Sequence, residues 1–147
     1  MLAPCRHGGY GYQMKEQDIF KWPITIYYED TDVGGVVYHA NYLKFFERAR
    51  TELLRYIGLN QQQLFADNMS FVVRSMNIDF IRGAKLDDQL IVNTTIQNVR
   101  RASIEFNQEL VNDHNVVFCR AVVKIACVNP TIMKPIALPE QLKPEIN

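Results

Sequence analysis

Apolar residues along this chain repeat with two different periods, and the change of period separates a helical part from a strand-rich part. From Tyr42 onward, Tyr42, Phe45, Phe46, Ala49, Leu53, Tyr56 and Ile57 fall three or four apart, the spacing of one face of an α-helix. Lys44, Glu47, Arg48, Arg50, Glu52 and Arg55 fill the other side, which predicts a solvated face. Gly58 stands where a left-handed residue ends such a helix, and Arg55 lies in the last turn, where the dipole favours a cation. The segment predicts a helix of about 17 residues, roughly 25 Å long. Asn60 suits the N-cap of a second, short helical piece over Gln61–Asp67.

After Asn68 the period becomes two. Met76, Ile78 and Phe80 alternate with polar neighbours in a strand from about Phe71 to Ile81. Arg82–Asp88 reads as a turn, and Leu90–Val99 as the next strand. Ile104, Phe106, Gln108 and Leu110 then alternate with Ser103, Glu105, Asn107 and Glu109, one mostly dry face against one wet face. Asn112-Asp113-His114-Asn115 is hairpin chemistry. The last strand, Val116–Val128, places Val117, Cys119, Ala121, Val123, Ile125 and Cys127 on one face, with Arg120 and Lys124 on the other. Upstream of the helix, the β-formers of Trp22–Tyr28 predict one more strand. The order is strand, long helix, four strands. It predicts an α+β domain over residues 20–130, with one antiparallel sheet of five strands wrapped around one helix and edges that invite a second copy. Residues 1–19 lack periodicity, and the prolines at 130, 135, 139 and 144 break up residues 131–147, so both ends read as tails.

A chain of 147 residues fits one domain. Its net charge of zero leaves no global field to recruit nucleic acid, so an anionic ligand has to meet a local cluster of cations. The odd count of three cysteines, without CxxC spacing, predicts buried thiols in a reducing compartment rather than a disulfide frame or metal site. No apolar run approaches the roughly 20 residues of a membrane span. Residues 1–13 have no apolar core like that of a secretory signal, which points to the cytoplasm. Met14 opens a short charged stretch, so residues 1–13 are expected to be an upstream extension of the reading frame.

Candidate chemistry narrows quickly. There is no GxSxG, GxxxxGK[ST], GxGxxG or HExxH, and His7, His39 and His114 are too scattered for a metal site. What remains is Asp30-Thr31-Asp32, a Gly34-Gly35 pair and His39, all just before the long helix. A purely structural reading has these acids capping a turn and balancing the helix dipole. Against it, paired glycines let backbone approach a ligand, and the amides of a first helical turn lack intrahelical partners, which suits an oxyanion.

The run Tyr28-x-Asp30-Thr31-Asp32-x-x-Gly35-x-Val37-x-x-x-x-Tyr42 resembles the signature of the 4-hydroxybenzoyl-CoA thioesterase family of hotdog-fold proteins. Its continuation through Val36–Arg50 is similar to the bacterial branch associated with the Tol–Pal envelope system. The resemblance spans about Trp22 to Val128 and implies a homo-oligomer, dimer or tetramer, that hydrolyses acyl-CoA to acid and CoA without metal or redox cofactor. It implies Asp32 as the catalytic carboxylate and a role for His39; the 4-hydroxybenzoyl-specific enzymes carry an aromatic residue at that position, which argues against that substrate. Asp30 is expected to be structural. For polyanionic CoA, Arg100 and Arg101 are the first candidates, with Lys134, Arg74, Arg82 and Lys85 behind them and partners drawn from different chains. Two rivals stand beside this reading. One is a non-catalytic protein that binds acyl carrier protein or an envelope-system partner at the inner membrane; the other is a hotdog dehydratase, which normally pairs its His and carboxylate in another spacing.

Overall fold

The computed structural model describes residues 14, 15 and 18–142. The expected upstream extension, Cys5 and His7 all lie outside those residues. Strand β1 (Phe20–Thr25) leads through a 3-10 turn at Tyr28–Asp30 to helix α1 (Asn41–Tyr56) and the short helix α2 (Gln61–Ala66). Strands β2 (Ser70–Phe80), β3 (Gln89–Gln97), β4 (Ser103–Val111) and β5 (Val117–Asn129) follow, and a two-residue β6 (Lys134–Pro135) pairs with β5. Every pairing is antiparallel, in the order β1-β3-β4-β5-β2. The result is the expected α+β hotdog: five long strands, plus the small sixth, around one long helix.

The apolar face of α1 holds the layers together. Phe45, Phe46, Ala49 and Leu53 are buried, and Ala49 contributes no bulk where the helix meets the sheet. Burying each of the larger side chains is worth about 1.5–3 kcal/mol. The helix ends as its residues dictate: Gly58 takes φ +92°, its N–H donates to Arg55 O, and Leu59 N–H reaches back to Leu54 O at 2.8 Å, the reciprocal pair of a Schellman motif. Asn60 caps α2 by accepting from the amides of Gln62 and Gln63.

Three expectations are corrected. β1 begins and ends earlier than the Trp22–Tyr28 pattern suggests, because the Asp30 carboxylate accepts from Tyr27 N–H and turns the chain off the sheet. Arg50 is buried rather than solvated. The segment after Asn129 is also no loose tail as far as Leu142. Besides β6, Ile136 N–H donates to Cys127 O and Leu138 N–H to Arg101 O, while Leu138 and Leu142 are buried. Pro135 is tolerated because β6 lies at an edge, where a missing donor interrupts no ladder.

β2 is one edge of the sheet and β1 the other. A register shift between Val73 and Ser75 bulges β2 at Arg74, and Val73 and Phe80 stand about half exposed. The thiols of Cys119 and Cys127 are free and buried on β5; burial pushes the Cys119 thiol up to about 12. Among the described residues no helix is long and apolar enough to cross a membrane.

Candidate active site

Residues 30–38 fold into a small hairpin. Tyr38 N–H donates to Asp30 O at 2.9 Å, Thr31 pairs with Val37, and Asp32 N–H donates to Val36 O at 2.8 Å. The tip is closed by Gly35 at φ +82°, whose amide donates to Asp32 O; only glycine takes that conformation without strain. The Asp32 carboxylate is exposed and held by Gly34 N–H, which donates to Oδ1 at 2.8 Å. A Cβ on Gly34 would stand 3.2 Å from that same oxygen. The outer arm docks on the 81–88 link: Val36 pairs with Lys85, and Val37 N–H donates to Ala84 O.

The two acids of the motif divide the work. Asp30 is 4% exposed, accepting from Tyr27 N–H through Oδ2 and from Asn41 Nδ2 through Oδ1, so both oxygens are used in tying the hairpin to the start of α1. Asp32 keeps one oxygen free of any bond to the described residues.

The helix start differs from the expected row of open amides. α1 has no side-chain cap, and the amides of Asn41, Tyr42 and Leu43 close tightly onto the carbonyls of Tyr38, His39 and Ala40. The amides without an acceptor among the described residues are those of His39 and Ala40, one step earlier. The His39 ring packs on Tyr38 at 4.7 Å and edge-on against Phe80 at 5.8 Å. Phe80 also meets Tyr42, whose hydroxyl accepts from Ala84 N–H at 3.0 Å and donates to Arg82 O at 3.3 Å. Burial raises the Tyr42 pKa, so the hydroxyl stays a neutral clamp between helix and link.

Asp32 and His39 thus share one hairpin, tip and foot, without touching; the arm from Val36 to His39 measures about 10 Å if extended. The cations divide into two groups. Arg82 and Lys85 lie on the link beside the hairpin, whereas Arg100 and Arg101 cap the β3–β4 turn, with Lys134 on β6 at the same end of the sheet. β3, nine residues long, separates that end from the hairpin, about 25 Å of extended chain. One chain therefore does not bring Arg100, Arg101 or Lys134 to Asp32, and Arg74 sits midway on the β2 edge.

The residue pattern of the thioesterase-like superfamily matches residues 27–146. The chain belongs to that superfamily. It is 48% identical over 127 residues to the acyl-CoA thioester hydrolase YbgC of Escherichia coli O6:H1, covering 86% of this chain and 95% of that protein. It is 49% identical over 125 residues to the acyl-CoA thioesterase YbgC of Haemophilus influenzae, covering 84% and 91%. A crystal structure of a probable thioesterase from Bartonella henselae superposes with a TM-score of 0.78 at 38% identity, over 83% of this chain and all of that one.

Sequence reasoning missed Phe80 and Tyr42 beside the hairpin, and a buried polar pair elsewhere beneath α1. Phe80 seats the imidazole, and only its place at the end of β2 hinted at that. The Tyr42 hydroxyl passed as part of an apolar stripe. Arg50 and Gln108 form a buried polar pair, Nη1 donating to Oε1 at 3.0 Å; a glutamine amid the apolar alternation of β4 was the available signal.

Proposed function

We infer that this chain is an acyl-CoA thioester hydrolase that releases a free acid and CoA. The observation that carries this is the hairpin, which holds one carboxylate out of the fold and leads directly to two amides, with one carboxylate oxygen and both amides unpaired among the described residues. In this reading a thioester carbonyl lies against the His39 and Ala40 amides, where developing negative charge is stabilised; loss of one such donor is worth about 3–4 kcal/mol in acyl transfer. Asp32 either takes a proton from the attacking water or attacks the carbonyl itself, giving a mixed anhydride that water then opens. Single turnover in 18O-water tests for the anhydride: where water opens it at the Asp32 carbonyl, the first acid released carries Asp32's own oxygen and the label enters the carboxylate instead. His39, steadied by Phe80 and Tyr38, orients the carbonyl or protonates the departing thiolate. The relatives named as acyl-CoA hydrolases support this reading.

A second copy completes the site in the same reading. Two β2 edges paired antiparallel about a two-fold axis set the Ser70 end of one chain beside the Phe80 end of the other. The partner's Arg100, Arg101 and Lys134 then approach Asp32, supplying cations for the CoA phosphates. Assembly as dimer or tetramer and work on the cytoplasmic side of the inner membrane belong to this proposal too, the former supported by the open β2 edge as well as the motif resemblance, while association with the Tol–Pal system or acyl carrier protein rests on that resemblance alone.

Asp32→Asn tests it. Asparagine keeps an oxygen for Gly34 N–H, so the hairpin persists, while CoA release followed with a thiol reagent is expected to fall at least ~100-fold. A binding protein would show no turnover to lose, and a dehydratase would release no thiol. Wild-type protein inert toward acyl-CoAs of every chain length would end the hydrolase reading.

A further inference from the structure

Helix α1 and the Asp32 hairpin both fasten to residues 82–84 of the link after β2. Ala84 N–H donates to the Tyr42 hydroxyl at 3.0 Å, and Ala84 O accepts from Val37 N–H at 2.8 Å. The same hydroxyl donates to Arg82 O at 3.3 Å, so one side chain of α1 holds the main-chain groups on both sides of Gly83. Gly83 is where the link presses on the hairpin: a Cβ there would stand 3.0 Å from Val36 Cγ1. Tyr42 is 3% exposed and Ala84 is fully buried, so both partners of their bond lie away from solvent. Burial also raises the Tyr42 pKa, which keeps in place the proton that Arg82 O receives. A phenylalanine would fill the same place in the apolar stripe without burying a hydroxyl; what the oxygen adds is its grip on the link. The ring reaches the other end of the hairpin arm. It packs on Phe80 at 5.8 Å, and Phe80 meets the His39 ring edge-on at 5.8 Å. The arm 36–39 is thus held at both ends through Tyr42, at Val37 by way of Ala84 and at His39 by way of Phe80.

We propose that Tyr42 is a positioning residue for the hydrolysis, setting the distance between the Asp32 carboxylate and the His39 and Ala40 amides. The proposal rests on the hydrolase reading above and adds to it a residue that does not touch the substrate. In that reading the carboxylate acts at the thioester carbon while the amides hold its oxygen, so their separation has to match one carbonyl group. An error of about 1 Å in such a placement lowers the rate by as much as about 100-fold. Asp32 is joined to the arm by its own N–H, which donates to Val36 O at 2.8 Å, and Val36 in turn pairs with Lys85 on the link. A link released by the hydroxyl therefore shifts Val36 and Asp32 relative to His39, which stays on Phe80. Arg100, Arg101 and Lys134, the cations proposed for CoA, lie at the far end of the sheet and are not moved with it.

Tyr42→Phe, which removes the hydroxyl and keeps the ring, is the test, read as CoA release from an acyl-CoA that the wild type hydrolyses. Its kcat is expected to fall about 10- to 100-fold, with KM kept within about 2-fold, the pattern of groups misplaced for the transition state rather than of weakened binding. Lost stability alone does not give that pattern. Val92→Ala, which opens a cavity at a fully buried position on β3, is expected to lower the melting temperature and leave kcat unchanged. Gly83→Ala presses on Val36 with the hydroxyl intact; it is expected to lower kcat in the same way, and it decides the matter if Tyr42→Phe does not fold. In an Asp32→Asn background, measured with enzyme in excess, Tyr42→Phe is expected to lower the rate far less than in wild type, because the group it positions is already gone. Wild-type kcat in the folded variants, a raised KM with kcat kept, or the full loss repeated in the Asp32→Asn background overturns the proposal while hydrolysis itself persists. Absence of CoA release by the wild type from every thioester would instead overturn the hydrolase reading.

Discussion

Asp30 and Asp32 are two residues apart and chemically identical, yet the fold treats them oppositely. Asp30 spends both oxygens on Tyr27 N–H and Asn41 Nδ2, whereas Asp32 spends one, on Gly34 N–H. Asp30→Ala leaves two donors without acceptors in a buried place. It is expected to destabilise the protein by about 2–3 kcal/mol and to lower the melting temperature, with activity falling because the hairpin loosens. A melting temperature equal to wild type would show that Asp30 is not the clamp. The sequence motif marked both acids as special, and beside the family resemblance Asp30 was expected to be the structural one; which oxygen is free depends on where the chain turns back. Arg50 shows the opposite failure. It lies four residues after Phe46 and three before Leu53, so helical spacing alone puts it on the apolar face. Its charge argued for solvent, and only the facing Gln108 on β4 explains how it stays inside.

The long elements were legible because their periods are unmixed. The stripe of α1 and the alternation in β4 specify a helix and a half-dry strand with no competing pattern. Ends were less legible. β1 stops early because a side chain three residues beyond Tyr27 captures the Tyr27 amide, a contact that strand propensity does not contain. The segment after Asn129 was misread because proline frequency argued against regular structure, while the docking depends on isolated apolar residues between the prolines. That docking is measurable. Leu138 is 2% exposed, so Leu138→Ala is expected to cost about 2–4 kcal/mol in chemical denaturation. A loose tail would give no change. Leu142 also lines a cavity of about 190 Å³ next to Arg50 and Leu54 of α1, so the same segment closes one side of that space.

The interior of the domain fixes how it responds to alkali. An unfolded cysteine ionises near 9, but the buried Cys119 thiol keeps its proton up to about 12, and Cys127 and Tyr42 are raised in the same direction by the same cause. Between those values the unfolded chain has released a proton that the folded chain still holds. Stability is therefore fully present below pH 9 and declines as pH rises toward 12, by up to about 1.4 kcal/mol per pH unit for one thiol. Cys119→Val, which cannot ionise, is expected to flatten part of that slope in denaturant midpoints measured from pH 8 to 11. The association of two copies is tested by a different experiment. Asp32 sits at one end of the sheet and Arg100 and Arg101 at the other, so a site made from both has to borrow across a two-fold interface. Asp32→Asn protein and an Arg100→Ala, Arg101→Ala double variant are each expected to be nearly inactive alone. Mixed and allowed to exchange, half the dimers pair one of each; every such dimer holds one site with both features intact and one with neither, so about a quarter of wild-type activity returns. If subunit exchange is verified and no activity returns, the cations and the carboxylate do not cooperate across the β2 edge, and Arg82 and Lys85, beside the hairpin in the same chain, become the groups to test for CoA.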